Sequence, residues 1–356
     1  CFINKRIKFI MAYTTIKKSS EHFNTKLYTG DGSSSRSITG VNFQPDWTWV
    51  KSRNTADYDH MITDVVRGAP KMLKTNSTAA EDSNPGAGGI GSFDSDGFTI
   101  ATGSINNTNM NNNGTTYVGW NWKANGTGSA NTDGSISSTV SANATSGFSI
   151  VSWTHNGSAN YTVGHGLGAT PKMILAKTTS ASANWDIYHA NITSGNRLIL
   201  NSTGGQVSGY WGANTVNNNT FSIGSDLASN GTTMIAYCFA EKQGFSKFGS
   251  YTGNGNADGT FVYLGFKPAF ILWKKSSASG NNWSIFDNKR DTYNATNHYL
   301  LPNLNNAEGT SDSCDLLSNG FKWRSTDGGS NGSGNTFIYM AFAEEPLVGD
   351  NPATAR

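Results

Sequence analysis

The sequence is poor in the features that mark several large classes of protein. Its 3 cysteines lie at positions 1, 238 and 314, a spacing that suits neither a disulfide framework nor a metal site. Charged residues make up 14% and the net charge is +2, with no basic block among the aromatics, which disfavours nucleic-acid binding. No apolar run approaches the ~18 residues of a membrane-spanning helix. We therefore expect no cofactor, no metal, no nucleic-acid partner and no membrane insertion.

Helix-forming residues such as Glu, Lys and Leu are also scarce, and the composition favours strands. Glycine accounts for 41 residues and aromatics for 12% of the chain, whereas proline occurs only 8 times. Short aromatic and β-branched runs alternate with clusters of Gly, Asn, Ser and Asp, which is typical of strands joined by tight turns. The composition predicts an all-β protein, and the unpaired cysteines favour assembly in a reducing cytoplasm.

One stretch occurs three times in the chain. It reads GTTYVGWNW at 114–122, GTTMIAYCF at 231–239 and GNTFIYMAF at 334–342. In the first copy Val118, Trp120 and Trp122 share one face of a strand, while Gly119 and Asn121 share the other. Large residues on one side and small ones on the other predict a strand buried between two layers.

The repetition extends far beyond that strand. Pro45 matches Pro268 and Lys51 matches Lys274, each at a separation of 223 positions (268 minus 45, and 274 minus 51). A more diverged middle copy lies between them. A period of about a hundred residues is too long for solenoid units of about 20 to 50 residues, so we predict three tandem domains.

We expect each domain to be a β-sandwich of jelly-roll or lectin-like type. The predicted ranges are 26–124, 147–241 and 245–345, after a lead-in at 1–25 and before a tail at 346–356. Met11 is the expected natural start. The Gly/Ser/Asn-rich segment 125–146 fits either a flexible linker or an added edge strand at Ser135–Val140. The short joint at 242–244 predicts that the second and third domains pack together while the first moves more freely.

The most conspicuous charged features are two pairs at equivalent repeat positions, Asp64 with Arg67 and Asp287 with Arg290. An arginine in such a pair can hold a carboxylate or a sugar hydroxyl in its planar fork. We favour the simpler interpretation of structural ion pairs that pin a loop to the sheet. The middle copy has His189 in this region and lacks the pair. The run Asp94-Ser-Asp96-Gly97 is interpreted as an Asx turn, because the further ligands of a calcium loop are missing.

No motif predicts catalysis, and we expect a protein that is not an enzyme. No carboxylate pair stands out as acid and base, and no histidine has metal-ligand spacing to a second ligand. The remaining site candidates are aromatics in loop-like stretches, because sugar rings stack on such faces. These candidates are Trp185, Tyr210, Trp211 and Trp283. A buried structural role is the alternative for each of them.

Three ordered motifs carry a resemblance to a known group of proteins. They lie at Ile38–Lys51, Asp64–Glu81 and Ser92–Thr99. The chain from about Asn24 to Glu345 resembles a repeat domain of uncharacterised bacteriophage virion proteins, common in marine tailed phages and often described as tail-fibre or structural proteins. The resemblance implies a virion surface protein on the tail or capsid, assembled in the host cytoplasm, and supplies no binding residue.

Two functions follow as expectations. The first is a non-enzymatic tail fibre or appendage that contacts a host receptor, especially surface glycan, and binds other virion proteins. The second is a capsid-decoration or filament subunit that binds only its virion neighbours; a glycan depolymerase is a distant third. We expect a homo-oligomer, with a trimer as one option, although three repeats can also build a pseudo-threefold unit within one chain.

Overall fold

A computed structural model of the chain describes residues 13–83, 88–101, 110–158, 161–209, 211, 216–224 and 229–346. Across these ranges the chain forms 25 strands and one 3₁₀ turn, Ser19–Glu21, and no α-helix. The strands pair in antiparallel fashion, for example β-strand Phe23–Thr29 with Thr116–Trp122. No helix in these ranges is long and apolar enough to cross a membrane. The all-β class predicted from composition is confirmed.

The first repeat contributes two sheets. Its strands are β1 (Phe23–Thr29), β2 (Ser35–Thr39), β3 (Trp47–Ser52), β4 (Met61–Asp64), β5 (Leu73–Lys74), β6 (Gly89–Asp94), β7 (Gly97–Ala101) and β8 (Thr116–Trp122). A five-stranded sheet has the order β1-β8-β3-β4-β5, and a three-stranded sheet has the order β2-β7-β6. Between them lies a hydrophobic cluster that includes Ile38, Val50 and Phe98.

The second repeat has the same plan with a larger main sheet. Its strands, from the segment 125–146 onward, are β9 (Ser129–Asn131), β10 (Ser138–Asn143), β11 (Phe148–Thr154), β12 (Tyr161–Gly164), β13 (Pro171–Thr178), β14 (Trp185–His189), β15 (Asn196–Ile199), β16 (Val207–Ser208), β17 (Thr220–Ile223) and β18 (Thr233–Ala240). The main sheet runs β16-β15-β14-β13-β18-β11-β10-β9, and β12 pairs with β17. The segment 125–146 thus supplies two strands to this sheet.

The third repeat completes the chain. Its strands are β19 (Ser246–Thr252), β20 (Phe261–Tyr263), β21 (Phe266–Lys275), β22 (Ser284–Asp287), β23 (Cys314–Leu317), β24 (Gly320–Trp323) and β25 (Thr336–Pro346). The sheet orders are β19-β25-β21-β22 and β20-β24-β23. The two sheets enclose a cluster that includes Val262, Phe286 and Phe321.

The thrice-repeated strand is an interior strand of each main sheet, as β8, β18 and β25. Its large residues, such as Trp120, Tyr237 and Met340, enter one central hydrophobic cluster. The opposite face of the strand enters the outer cluster of its own repeat, as Cys238 and Tyr339 do. The prediction of a strand buried between two layers is confirmed.

The central cluster joins all three repeats. Trp47 lies 5.8 Å from Phe239 between ring centroids, and Phe239 lies 5.9 Å from Phe342. Trp122 closes the circuit at 5.6 Å from Phe342. The first repeat shares this core with the other two, so the structure does not have the freer first repeat that the sequence led us to expect. A shared core couples the repeats through apolar burial.

Backbone hydrogen bonds between the repeats follow the same cyclic order. The three donor residues occupy equivalent positions. Each lies five residues after an asparagine whose side-chain oxygen accepts a backbone N–H near the start of a strand. The three bonds run from Glu81 N to Thr179 O (2.7 Å), from Gln206 N to Ser276 O (3.0 Å) and from Glu308 N to Arg53 O (2.7 Å). The first repeat thus donates to the second, the second to the third and the third to the first, so that the contacts form a closed ring.

Candidate functional site

The two repeated charge pairs form buried three-residue networks. In the first repeat the Nε atom of Arg67 lies 2.6 Å from the Oδ2 atom of Asp64, and its Nη1 atom lies 3.1 Å from the Oε2 atom of Glu81. The third repeat has Arg290 in the same arrangement between Asp287 and Glu308. Both arginines are nearly inaccessible, and each also donates to a strand carbonyl. The guanidinium nitrogens of both arginines, which could otherwise bind a ligand, therefore donate to other groups of the protein.

These networks also connect neighbouring repeats. The hydroxyl of Tyr237 donates to the Oδ2 atom of Asp64 at 2.7 Å, and the indole of Trp120 donates to the Oδ2 atom of Asp287 at 3.0 Å. His189 occupies the corresponding position of the second repeat, with its Nε2 atom 3.1 Å from the carbonyl oxygen of Tyr339. Burial lowers the pKa of His189 to about 4, so the ring is neutral at pH 7. Asp64, His189 and Asp287, at the three equivalent positions, therefore have a structural role in the ring of repeats.

The tryptophans selected from the sequence lie inside the protein. Trp185 and Trp283 are buried, and their indole nitrogens donate to the carbonyl oxygens of Lys74 at 2.8 Å and Ile199 at 2.9 Å in the preceding repeat. Trp211 is buried in the outer cluster of the second repeat. None of these three rings offers an exposed stacking surface. Tyr210, the fourth candidate, lies outside the described residues.

The acidic run before β7 also has a structural explanation. The Oδ2 atom of Asp96 accepts the backbone N–H of Gly40 at 2.9 Å, and its Oδ1 atom accepts that of Asn42 at 2.6 Å. Both hydrogen bonds lower the pKa of this exposed carboxyl group. Asp96 therefore fastens the loop after β2 to the β6–β7 turn.

The exposed aromatic side chains of the described chain all lie in the third repeat. Phe261 and Tyr263 have 44% and 52% of their surface exposed, whereas Val262 between them is buried. They occupy β20, the edge strand of the small sheet, and alternate residues of a strand point to the same side. The two rings therefore lie side by side on the outer face of the third repeat. Tyr293, on the segment after β22, is the third exposed aromatic residue.

The other two repeats have small or polar residues at the same positions. Tyr263 pairs with Gly320 across the small sheet, and Thr39 pairs with the equivalent Gly97 in the first repeat. The corresponding residue pairs are Ser37 and Thr39 in the first repeat, Thr162 and Gly164 in the second, and Phe261 and Tyr263 in the third. The sheet forms in all three cases, so the aromatic pair is a feature of the third repeat alone.

Charged residues continue this surface across the sheet. Lys322 pairs with Phe261 on one side and with Asp315 on the other. The Nε atom of Arg324 lies 2.6 Å from the Oδ2 atom of Asp315, and the Nζ atom of Lys322 lies 2.6 Å from the Oδ1 atom of Asp258. Exposed ion pairs contribute at most about 1 kcal/mol to folding. We call Phe261, Tyr263, Lys322, Asp315 and Arg324 the aromatic face.

The family model described as Domain of unknown function (DUF7483) matches residues 18–346 of the chain. The chain belongs to this family. The match spans all three repeats, so the DUF7483 unit corresponds to the whole ring and not to a single repeat. No curated protein and no solved structure matches the chain.

In this DUF7483 protein the ring of Tyr263 is held from one side. The Nζ atom of Lys247 lies 5.2 Å from the ring centroid and donates to the carbonyl oxygen of Tyr263 at 2.9 Å. Tyr13 from the start of the described chain also approaches this ring, and burial together with Tyr263 raises the pKa of Tyr13. A ring fixed in this way loses little side-chain entropy on binding.

The arrangement can stack on a flat ligand and hydrogen-bond to groups at its edge. Two aromatic rings supply the stacking surface, while a guanidinium group, an ammonium group and carboxylates supply donors and acceptors. Within the described ranges no group of three or more His, Cys, Asp or Glu residues is placed to hold a metal ion. Aromatic residues at the alternate positions 261 and 263 could be seen in the sequence. An alignment of the three repeats would have shown that the other two repeats have no aromatic residues there.

Proposed function

We propose that this protein is a non-enzymatic bacteriophage virion protein, a tail fibre or appendage that contacts host-surface glycan through the aromatic face. The supporting observation is the exposed pair Phe261 and Tyr263, at positions where the same sheet forms with Ser37 and Thr39. Folding therefore does not require aromatic residues there. Adjacent exposed aromatic residues in an otherwise polar surface are typical of an interaction site.

Glycan suits the chemistry of this surface. The C–H faces of a sugar ring pack against aromatic rings, and its hydroxyl groups can both donate and accept hydrogen bonds. Arg324 and Lys322 can donate, and Asp315 can accept. Lys322 lies in β24, the strand that pairs with β20, Arg324 follows that strand, and Asp315 lies in the next strand, β23. A shallow, solvent-exposed face of this kind fits a chain of sugars attached to a cell surface.

We further propose that each repeat is a jelly-roll or lectin-like sandwich and that the ring replaces a trimer. Two sheets around a cluster in every repeat support the first statement. The closed order of the inter-repeat hydrogen bonds supports the second, because closed rings of this kind usually form from separate subunits. A mass near the 38.0 kDa of one chain in light scattering is the expected result, and three times that mass would contradict it.

A capsid-decoration or filament subunit is the second candidate. All 10 tryptophans are buried, which leaves few large aromatic residues for a receptor. In that case the aromatic face would contact a neighbouring virion protein. The two candidates predict different partners for the same five residues.

The deciding experiment measures binding of the purified chain to intact host cells, with and without periodate oxidation of the surface sugars. The test variant Phe261→Ser/Tyr263→Thr copies the first repeat, and the control variant Ser37→Ala/Thr39→Ala alters the equivalent face there. We expect saturable binding that periodate abolishes, that falls at least tenfold in the test variant and that the control keeps. Folded protein that binds no cells, with the test variant failing to join virions, would instead identify the second candidate.

A further inference from the structure

A cavity of about 200 Å³ opens at the rim of the third repeat, and none of its lining residues belongs to the aromatic face. Asn281 and Asn282 reach it from the segment before β22, Asp312 from the residues before β23, and Asp327 from the segment after β24. Tyr299 completes the wall. The cavity therefore lies where the two sheets of the third repeat separate, a position at which loops commonly hold ligands. We call it the rim pocket.

The carboxylate groups of Asp312 and Asp327 in the rim pocket each accept hydrogen bonds from the protein through only one oxygen atom. The Oδ1 atom of Asp312 accepts the hydroxyls of Ser325 at 3.0 Å and Ser330 at 2.9 Å. The Oδ1 atom of Asp327 accepts the backbone N–H of Gly329 at 2.6 Å. Within the described ranges the Oδ2 atoms have no hydrogen-bond partner and neither residue forms an ion pair. Asp312 is nine-tenths buried, and burial, followed by the charge of Asp327, raises its pKa.

Hydrogen-bond donors face the same space. The side-chain oxygen of Asn282 accepts the amide of Asn303 at 2.7 Å, so the NH₂ group of Asn282 is left to donate. The Nδ2 atom of Asn281 lies beside Gly329, 2.9 Å from the place that a Cβ atom at position 329 would take. The pocket thus combines free acceptors with free donors.

In the first repeat a larger residue occupies the position equivalent to Asn281. Asn281 corresponds to Tyr58 at the separation of 223 positions (281 minus 58). Tyr58 packs against the outer cluster of the first repeat, and its hydroxyl accepts the amide of Asn112 at 2.8 Å. The residue at this position is thus a second difference between the third repeat and the first.

We propose that the rim pocket binds one polyhydroxyl ring, that is, a single monosaccharide unit. A hydroxyl group donates to a carboxylate and accepts from an amide, whereas a cation would meet the amide N–H groups and an anion would meet the carboxylates. Tyr299 supplies an apolar wall for the ring. The volume is below the roughly 300–1,000 Å³ of pockets for drug-sized ligands, which limits the occupant to one small ring. The site is separate from the aromatic face and does not depend on the function proposed for that face.

The test is ligand-observed NMR on the full chain with a panel of free monosaccharides: neutral hexoses, N-acetylhexosamines, uronic acids and sialic acid. Chelator is present so that no divalent cation contributes. Asn281→Tyr fills the pocket with the residue of the first repeat, and Asp312→Asn removes one charge while keeping an acceptor for the two serines. Phe261→Ser/Tyr263→Thr is the control. We expect saturable binding of an uncharged sugar that weakens at least tenfold in both pocket variants and is unchanged in the control.

Several results would overturn the proposal. Folded wild-type protein that binds no member of the panel at millimolar concentration is one. Binding that appears only after calcium is added would identify a cation site instead. Binding lost in the control but kept in Asn281→Tyr would assign the sugar to the aromatic face. Circular dichroism and thermal unfolding of each variant show that the folded protein is being compared.

Discussion

Two kinds of aromatic residue in this chain have opposite roles. Trp185 and Trp283 hold neighbouring repeats together, because each indole N–H satisfies a backbone carbonyl of the preceding repeat. Phe261 and Tyr263 are exposed on the outer surface of the third repeat. The first kind contributes to the stability of the ring, and the second kind forms the surface that we propose binds a partner.

This difference predicts the effect of two substitutions on the free energy of unfolding. Trp283→Phe keeps most of the buried ring but leaves the carbonyl of Ile199 without its donor, which we expect to cost about 1–3 kcal/mol. Phe261→Ser at the surface should change stability by no more than about 0.5 kcal/mol. Urea unfolding of both variants measures the contrast. Equal losses would mean that the indole hydrogen bond contributes nothing.

The sequence did not separate these two kinds of residue. Trp185 and Trp283 stand beside Ser, Asn and Gly, which is the local pattern of a loop. Their burial comes from another repeat, and no local pattern reports a partner that distant. The charge pairs were easier, because Asp64 and Arg67 are three residues apart and contact each other within one turn.

At the scale of the strands, three lysines occupy one repeated position on β3, β13 and β21. Lys51, Lys177 and Lys274 are all fully buried. Lys177 donates to the carbonyls of Thr78 at 2.9 Å and Ala183 at 2.6 Å, and Lys274 donates to that of Asn281 at 2.8 Å. Burial lowers the pKa of each ammonium group to about 8. Carbonyl oxygens thus accept hydrogen bonds from these buried ammonium groups, and nearby carboxylates also favour the charged form of Lys51 and Lys177.

These lysines predict how stability depends on pH. Because their pKa falls from 10.5 to about 8 on folding, the folded chain binds fewer protons than the unfolded chain between these values. The contribution of these lysines to the free energy of unfolding should therefore rise as the pH increases from about 8 toward 10.5, and this gain is lost as the pH falls back to about 8. Urea unfolding at pH 7, 8.5 and 9.5 tests this. Lys177→Met should flatten the rise, and an unchanged slope in that variant would contradict the assignment.

The strand positions could largely be predicted, because alternation is a local property. The repeated stretch at 114–122 predicted a strand, and the structure has Thr116–Trp122 there. The strands β9 and β10 were harder to predict because few of their residues are apolar. The backbone of β10 pairs with β11 and that of β9 pairs with β10, and such pairing leaves little trace in composition.

At the scale of the whole molecule, one apolar core serves three repeats. The sequence showed the repeats and left open whether they pack as a string or as a ring. Phe23 and Phe342 lie 5.2 Å apart between ring centroids although they belong to the first and third repeats. The length and composition of the connecting segments do not determine such a contact, because they constrain distance and not orientation.

A shared core predicts a single unfolding transition. Phe342→Ala removes a ring that contacts both other repeats, and we expect a loss of about 3–5 kcal/mol. Tryptophan fluorescence and circular dichroism should shift together, because no repeat keeps its core once the centre is weakened. Two separate transitions would show that the repeats unfold independently. Phe261→Ser is the control, since it lies outside the core.

The joining of three repeats in one chain affects what the surface can display. Three identical subunits must show every surface feature three times, whereas a gene that encodes all three copies lets each copy mutate separately. Here the third copy carries both the aromatic face and the rim pocket, while the first copy has the small polar residues Ser37 and Thr39 in place of the aromatic pair. The molecule therefore has one distinct side, which a symmetric trimer lacks, and a partner that binds this side, as we propose, would meet it in one orientation.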